Sequence, residues 1–392
     1  MPFRLIPIAF VLAALVAPAQ AGAQQRQVPQ GYFGAVADGV LTDEDPNRFT
    51  NELPRMVGAG VETLRMVFPW RDAQPYRTRS EIPSDQQAFF RDEGGVPTDW
   101  RLLDRYVENA SRRRLTILPV VLYAPQWAAK YGNSDASPPR GHADYARFVV
   151  ALAKRYGRTG SFWTERPDVP KLPIDWFQVW NEPHFKEYWS DQPWEKDYAR
   201  LLRGTYRAVK RAVPSARILA AGMANKSWTY ISKLYAQKTR GYFDAIALHP
   251  FTNSIDGVVE IIERARRTMA RNGDRKLPLM ITELSWTSAK GKAGYTYGNE
   301  RTEAGQAKAL RQGLQRMAKD RRALRILRVY WYTWMTRDKH ENIPFDYAGV
   351  IRFEPDGTTT EKPSFAAYRS TALALEGCAS KPGDARSCTP RR

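Results

Sequence analysis

Two acidic residues stand near the ends of apolar, strand-like segments. Glu182 closes the segment "WFQVWNEP" (176–183), and Glu283 lies in "LPLMITEL" (277–284). A carboxylate inside an apolar core costs free energy unless it has partners, so each acid either marks a strand end or has a chemical task. Two carboxyl groups facing one cleft can divide such a task, because one can hold a proton and donate it while the other stays ionised.

The segments that carry these acids belong to a repeated pattern. Short apolar runs alternate with longer stretches whose apolar residues follow helical spacing, such as "HADYARFVVALAKRYG" and "KDYARLLRGTYRAVKRAV". The eight predicted strands are 31–36, 61–68, 115–123, 174–181, 217–222, 243–249, 277–284 and 327–334. Eight strand–helix units predict the α/β class and a (β/α)8 TIM barrel with long βα loops. An open doubly wound sheet is the alternative, but no Gly-rich G-x-G-x-x-G turn follows the first strand.

In such a barrel the two acids would meet. The C-terminal ends of strands 4 and 7 face each other across the barrel mouth, which places Glu182 opposite Glu283. The longest loops, 69–97, 124–141 and 285–302, follow strands 2, 3 and 7 and would wall the same cleft. Opposed carboxyl groups over an open cleft are what hydrolysis of a glycosidic bond requires.

The motifs "WNEP" and "ITELSW" resemble those of the retaining glycoside hydrolases built on (β/α)8 barrels, known as clan A. Within that clan the sequence is most similar to glycoside hydrolase family 39 and its exopolysaccharide-cleaving relatives, with family 5 next. The resemblance implies that Glu182 is the general acid/base and Glu283 the nucleophile. It also implies that Asn181 binds the sugar's 2-hydroxyl group and that Arg65 keeps the nucleophile ionised.

Other site residues follow from the same resemblance. Trp334 in "YTWMTRD" matches a strand 8 tryptophan that forms the floor of the cleaved subsite, and His249 in "ALHPFT" matches a strand 6 histidine. Phe251 stands where a tyrosine touching the nucleophile is expected, and strand 3 ends without the histidine found in some of these families. Trp127 and Trp286 lie just past strand ends and are candidate sugar-stacking residues, although packing is the alternative for any one aromatic residue.

Both ends of the chain have features of an exported protein. Residues 1–23 combine Arg4, an apolar stretch and small residues at A-x-A sites, which predicts a secretory signal; a membrane anchor is the alternative, but the stretch is short and Pro7 interrupts it. The predicted barrel spans 24–377 and a basic tail spans 378–392. Cys378 and Cys388, the only cysteines, are predicted to form a disulfide in that tail, as suits a secreted or periplasmic protein.

The net charge of +19 favours an anionic exopolysaccharide or envelope glycan as partner, and a solvated basic surface with no such partner is the alternative. No nucleic-acid-reading motif is present, no later segment is apolar enough to span a membrane, and four histidines make a histidine-rich metal centre a poor hypothesis. No metal or organic cofactor is implied. The sequence therefore predicts an exported retaining glycoside hydrolase acting within a polysaccharide. A carbohydrate-binding barrel of the envelope or matrix that lacks catalysis is the alternative.

Overall fold

The structure is a computed structural model of the 392-residue chain, which describes residues 1, 24–43, 45, 47–132, 134–339 and 343–391. Residues 2–23 of the predicted secretory signal (1–23) lie outside the described residues. Among the described helices, none combines the length and the apolar character needed to cross a membrane.

Eight parallel strands form a closed barrel. The strands pair in chain order, and the first pairs with the last through the register Phe33–Val329, which closes the sheet. The strands are β1 (Phe33–Val36), β2 (Thr63–Pro69), β3 (Thr116–Leu122), β4 (Trp176–Val179), β5 (Arg217–Ala224), β6 (Ala245–His249), β7 (Leu279–Leu284) and β8 (Ile326–Trp331). The prediction of a (β/α)8 barrel is confirmed, and the open doubly wound alternative is excluded by the closure.

A long helix follows each barrel strand. These helices are α1 (Arg48–Gly58), α2 (Arg101–Arg112), α3 (His142–Tyr156), α4 (Glu195–Ala212), α5 (Ser227–Ala236), α6 (Ile255–Arg271), α7 (Glu303–Asp320) and α8 (Pro363–Glu376). Their apolar faces pack on the outer face of the barrel in one large buried cluster. This two-layer burial explains why the strands are apolar on both faces while the helices are amphipathic.

The inside of the barrel changes from apolar to polar along the strands. A compact interior cluster includes Trp176, Ala247 and Met280. Because successive side chains of a strand point to opposite faces, the residues two positions further on also point inward. These are Gln178, His249 and Thr282, all fully buried. The lower barrel is thus filled with apolar side chains, and a polar layer lies at the C-terminal ends of the strands.

The eighth strand ends earlier than predicted. It stops at Trp331 rather than at Trp334, and the peptide bond between Tyr332 and Thr333 is cis. Met335–Thr336 then joins a separate small sheet with the hairpin Ile351–Phe353 and Thr359–Glu361. The chain therefore leaves the barrel three residues before the predicted end.

The C-terminal tail closes over the N-terminal end of the barrel. Cys378 and Cys388 form the predicted disulfide, and Cys378–Ser380 pairs with Thr389–Pro390. Within the loop that the disulfide closes, Lys381 is buried, and its Nζ lies 2.6 Å from Glu62 Oε1 and 2.7 Å from Glu376 Oε2. Since Glu62 directly precedes β2, the tail lies opposite the C-terminal ends of the strands.

Candidate active site

Glu182 lies just past the end of β4, where the backbone has a conformation that few residues adopt. Trp180 has a φ of 64° and Glu182 a φ of 41°, both in the left-handed region. Such a conformation costs free energy and persists where the surroundings hold it in place. Here Gln178 Nε2 donates to the Trp180 carbonyl at 2.9 Å, and Trp180 Nε1 donates to the Tyr188 carbonyl at 2.7 Å. These contacts turn the chain so that Glu182 reaches the barrel mouth instead of continuing the strand.

Arg65 on β2 ties three strand ends together. Its Nη1 lies 2.9 Å from Glu283 Oε1, and its Nη2 donates to Asn181 Oδ1 at 2.8 Å. Its Nε donates to Gln178 Oε1 at 3.3 Å. All four side chains are buried, so the ion pair is shielded from water and the guanidinium geometry fixes where Glu283 points.

His249 at the end of β6 links the two glutamates. Its Nδ1 lies 2.8 Å from Glu182 Oε1, and its Nε2 lies 2.9 Å from Thr282 Oγ1 and 3.5 Å from Glu283 Oε1. Burial lowers the pKa of His249 to about 3, so the imidazole is neutral near pH 7 and carries one proton. A neutral ring can accept a hydrogen bond from Glu182 when that carboxyl is protonated, and can donate a hydrogen bond to it when it is ionised.

A glycine makes room for this histidine. A Cβ added to Gly222 on β5 would lie 2.1 Å from His249 Nε2, closer than any real contact. The imidazole therefore packs directly on the β5 backbone, and only glycine fits at position 222 without displacing the ring.

The two carboxyl groups are close enough to act on one bond. One oxygen of Glu182, one oxygen of Glu283 and a ring nitrogen of His249 all lie within 4.8 Å of one another. This spacing is near the roughly 5 to 5.5 Å of retaining enzymes and well below the roughly 6.5 to 9.5 Å of inverting enzymes.

The surroundings of the two acids differ in charge. Burial raises the pKa of Glu182 to about 8, opposed by the more distant charge of Arg65. Burial also raises the pKa of Glu283, and the Glu182 carboxylate adds to that rise, but the charge of Arg65 and the hydrogen bond that it donates oppose the rise in part. The arrangement therefore favours a protonated Glu182 beside an ionised Glu283 near neutral pH.

The same three side chains have the spacing of metal ligands, but their present partners do not favour a cation. Both ring nitrogens of His249 already contact protein groups, and the Arg65 guanidinium lies against the oxygen of Glu283 that a metal ion would need. A bound cation would face that positive charge at close range.

A cleft of about 1050 Å³ opens above these residues. Its described lining has more acidic than basic side chains. The acids are Asp38, Asp43, Asp135, Glu182, Glu187, Glu283 and Asp346, and the bases are Arg65, Arg337 and Lys339. The positive net charge of the chain is therefore not concentrated in the described part of the cleft, which gives no support to the prediction of an anionic substrate.

Three of the predicted aromatic residues do not line the cleft. Trp334 is fully buried and donates from Nε1 to Glu52 Oε2 at 3.1 Å, because the chain has already left the barrel before this position. Trp286 is buried against Gly313 and Trp331, and Trp127 donates from Nε1 to the Gln74 carbonyl at 2.8 Å. Their positions fit packing better than sugar stacking.

Other residues at the centre were not predicted from the sequence. Tyr188 and Tyr332 line the cleft, and burial together with the negative charges of both glutamates raises the pKa of each hydroxyl. Asp38 follows β1 and accepts the Val67 N–H at 2.7 Å; burial raises the pKa of its carboxyl to about 6. Gln178 could have been found from its inward position on β4, two residues after the apolar Trp176. Tyr332 could not, because its role depends on where β8 ends.

Comparison with known proteins agrees with this geometry. Residues 155–349 match the family described as Glycosyl hydrolase catalytic core. A β-xylosidase of Geobacillus stearothermophilus is 23% identical, over 47% of this chain and 40% of the relative. The chain thus spans less than half the length of that curated relative.

Solved structures share the fold. A monomeric β-xylosidase from Caulobacter crescentus superposes with a TM-score of 0.59 at 16% identity, covering 88% of this chain and 69% of that one. A GH39 enzyme from Xanthomonas axonopodis pv. citri has a TM-score of 0.59 at 17% identity, with 88% and 67% covered. Residues 155–349 are thus similar to a glycosyl hydrolase catalytic core, and the closed eight-stranded barrel is the fold shared with these solved structures.

Proposed function

We propose that this protein hydrolyses glycosidic bonds within a polysaccharide with retention of anomeric configuration. The observation that carries the proposal is the pair of buried carboxyl groups, with oxygens within 4.8 Å of each other at the floor of an open cleft. Glu182 is the proposed general acid/base and Glu283 the proposed nucleophile, in agreement with the opposite charge environments of the two side chains.

The proposed reaction has two steps. First, an oxygen of Glu283 bonds to the anomeric carbon while Glu182 gives its proton to the departing glycosidic oxygen, and the bond between that oxygen and the anomeric carbon breaks. Then Glu182, now ionised, takes a proton from water as the water oxygen attacks the anomeric carbon and Glu283 is released. Two inversions leave the configuration unchanged, and one water molecule is consumed.

The neighbouring groups support these steps. Arg65 holds Glu283 in the ionised form that a nucleophile needs, and it orients Asn181, which can bond to a hydroxyl group of the sugar. Asn181 lies beside the acid, so such a bond would form close to the bond that breaks. Binding that strengthens in the transition state accelerates the chemical step.

Export is part of the proposal. It is supported by the features of the segment 1–23 and by the Cys378–Cys388 disulfide, since disulfides persist in oxidising compartments. We place the activity in the periplasm or outside the cell, on a glycan whose sugar the cleft does not name. The acid-rich lining described above makes a neutral glycan a better first substrate than an anionic one.

Removal of the nucleophile tests the mechanism. A library of glycans and aryl glycosides is digested with the wild-type protein, and the anomeric form of the first product is read by NMR. Retention is expected, and Glu283→Ala is expected to lose at least about a thousandfold in kcat/KM, equivalent to about 4 kcal/mol of transition-state stabilisation. Glu260→Ala, an exposed acid on α6, is the matched control and is expected to match the wild type.

Two results would contradict the proposal. Inversion of configuration would rule out the double displacement, and full activity of Glu283→Ala would remove the assigned nucleophile. If the wild-type protein binds glycans but cleaves none of them, the alternative of a carbohydrate-binding barrel without catalysis is supported. A mechanism-based fluorosugar separates these cases directly, because only a retaining enzyme forms an adduct on Glu283.

A further inference from the structure

A row of aromatic rings leads from the carboxyl pair across the rim of the cleft. The ring of Tyr332 lies 5.6 Å from that of Phe345, which lies 5.4 Å from Tyr297, which in turn lies 4.8 Å from Tyr295. Phe251 flanks the inner part of the row, 6.2 Å from Tyr332 and 4.7 Å from Phe345. We call the four residues Tyr332, Phe345, Tyr297 and Tyr295 the aromatic row.

Different loops contribute to this arrangement. Tyr332 and Phe345 follow β8, Tyr295 and Tyr297 follow β7, and the flanking Phe251 follows β6. These loops meet because β6, β7 and β8 are neighbours in the sheet, so the row cannot be recognised from neighbouring positions in the sequence. Its inner end, Tyr332, lies close enough to Glu283 for that carboxylate to raise the pKa of the tyrosine.

Exposure increases along the row away from the carboxyl pair. Tyr332 is half-buried, whereas Tyr297 and Tyr295 are 53% and 54% exposed. Adjacent large aromatic side chains that keep half of their surface in water mark binding surfaces more often than single exposed residues do. Their rings contact each other edge to face rather than packing into the core, so ring surface of both stays open to a ligand.

A polar group beside the row also lacks a partner. Asn299 is 1% exposed and lines the cleft, and its Nδ2 donates to the Ser285 carbonyl at 3.5 Å. Its Oδ1 has no hydrogen-bonding partner among the described residues. Buried polar atoms are rarely left unpaired, and a sugar hydroxyl group entering the cleft would supply the missing donor.

From these observations we infer that the aromatic row is a binding platform for an extended glycan chain, continuous with the site of bond cleavage. Sugar rings have apolar faces that pack on aromatic rings, and none of the four side chains in the row is charged. A single sugar at the carboxyl pair would contact the inner end only. The outer tyrosines therefore serve a substrate of several sugar units. The identity of the ligand as a glycan rests on the proposed function.

Affinity electrophoresis tests the platform without requiring catalysis. Two proteins are compared in native gels that contain xylan, arabinan, β-glucan or β-mannan. One carries Glu283→Gln alone, and the other carries Glu283→Gln together with Tyr295→Ala and Tyr297→Ala. Retardation by at least one polysaccharide is expected, with the two tyrosine changes together raising the apparent Kd about tenfold, equivalent to a total loss of about 1.4 kcal/mol. Phe89→Ala is the matched control, because Phe89 is also an exposed aromatic residue but packs on Arg101 away from the cleft lining.

Catalysis gives a second, independent measurement. In the active protein, the two tyrosine changes are expected to lower kcat/KM about tenfold on the retarding polysaccharide and to leave kcat/KM on an aryl monoglycoside within twofold. Equal losses on both substrates, unchanged retardation, or no retardation of the starting protein by any of the four polysaccharides would overturn the platform. Failure of the proposed function looks different, because a protein that shows tyrosine-dependent retardation but cleaves nothing keeps the platform and loses the hydrolase.

Discussion

At the residue scale, the division of labour between two chemically identical side chains depends on their charged neighbours. Both glutamates are buried, and burial alone raises the pKa of both. Only Glu283 has a direct hydrogen bond from a guanidinium, while Glu182 contacts the neutral imidazole of His249. The environment therefore favours the proton on Glu182, which supports the proposal that Glu182 is the acid independently of its position in the sequence.

The raised pKa of Glu182 predicts the alkaline side of the pH profile. Since this pKa is about 8, kcat/KM on a glycoside with a poor leaving group is expected to fall above about pH 8, as the acid loses its proton. Glu182→Gln is expected to abolish this limb while retaining slow cleavage of an aryl glycoside whose leaving group needs no proton. An alkaline limb that persists unchanged in Glu182→Gln would assign the acid elsewhere.

The same pKa predicts how stability depends on pH. The folded-state pKa of about 8 exceeds the ordinary value of 4.5, so the folded state binds this proton more tightly than the unfolded chain. The stabilisation that this bound proton gives to the folded state is full below about pH 4.5 and is lost as the pH rises to about 8. The Tm of the wild type should therefore fall relative to the Tm of Glu182→Gln, which lacks the titration, as the pH rises between these two values. Above them the difference between the two Tm values should stay constant.

At the scale of elements, the exit of the chain from β8 decides which aromatic residue reaches the cleft. The strand stops at Trp331, and Tyr332 reaches the cleft while Trp334 turns toward α1 and bonds to Glu52. Trp334 also packs edge-on against Phe365 and Tyr368 of α8. It thus connects two helices beneath the site instead of forming its floor.

Substitution at these two positions separates the roles. Trp334→Phe removes the hydrogen bond to the buried Glu52 carboxylate and should lower the free energy of unfolding by about 1 to 3 kcal/mol, with KM unchanged. Tyr332→Ala should instead raise KM or lower kcat at least about tenfold, with a smaller effect on stability. Denaturant unfolding and steady-state kinetics on the same preparations measure both. A raised KM for Trp334→Phe with unchanged stability would restore Trp334 to the subsite floor.

The sequence predicted the elements far better than it predicted the cleft wall. The alternation of strand and helix periods predicted all eight barrel strands. The motifs "WNEP" and "ITEL" predicted that both acids lie at strand ends, where the structure has them. The aromatic predictions were weaker, because exposure of Trp127, Trp286 and Trp334 depends on how loops of different strands pack. Tyr332 and Asp38 reach the site through the exit of β8 and the turn after β1, and neither has a local pattern.

At the scale of the whole molecule, a small charged cluster closes the end of the barrel opposite the cleft. Lys381 lies between Glu62 and Glu376, with all three side chains buried, and the partly exposed Arg26 also contacts Glu62. Burial and the negative charge of Glu62 raise the pKa of Glu376, while Lys381 lowers it. Without the lysine, two carboxylates would share a site closed to water. The disulfide loop therefore stabilises the fold by holding Lys381 between the two carboxylates.

Removal of this lysine should be costly. Lys381→Met is expected to lower the free energy of unfolding by about 3 to 5 kcal/mol, because it removes the cation nearest to the buried Glu376 carboxylate and leaves Glu62 with only the partly exposed Arg26 as a cationic partner among the described residues. Adding Glu376→Gln should recover part of the loss, and Lys308→Met, an exposed lysine on α7, should change stability by less than about 0.5 kcal/mol. Reduction of the disulfide should cost about 2 to 4 kcal/mol. Equal stability of Lys381→Met and Lys308→Met in denaturant unfolding would show that the cluster contributes nothing.

The tail also brings the two ends of the described barrel together. The Gln24 N–H donates to the Arg391 carbonyl at 2.8 Å, on the face where Glu62 precedes β2. The carboxyl pair and the aromatic row occupy the other face, a full strand length away. A tether attached ahead of residue 24 or after residue 391 would therefore anchor the protein with its cleft directed away from the support. Immobilised on a bead or displayed on a cell, the molecule would present its whole cleft to a polymer too large to diffuse around it.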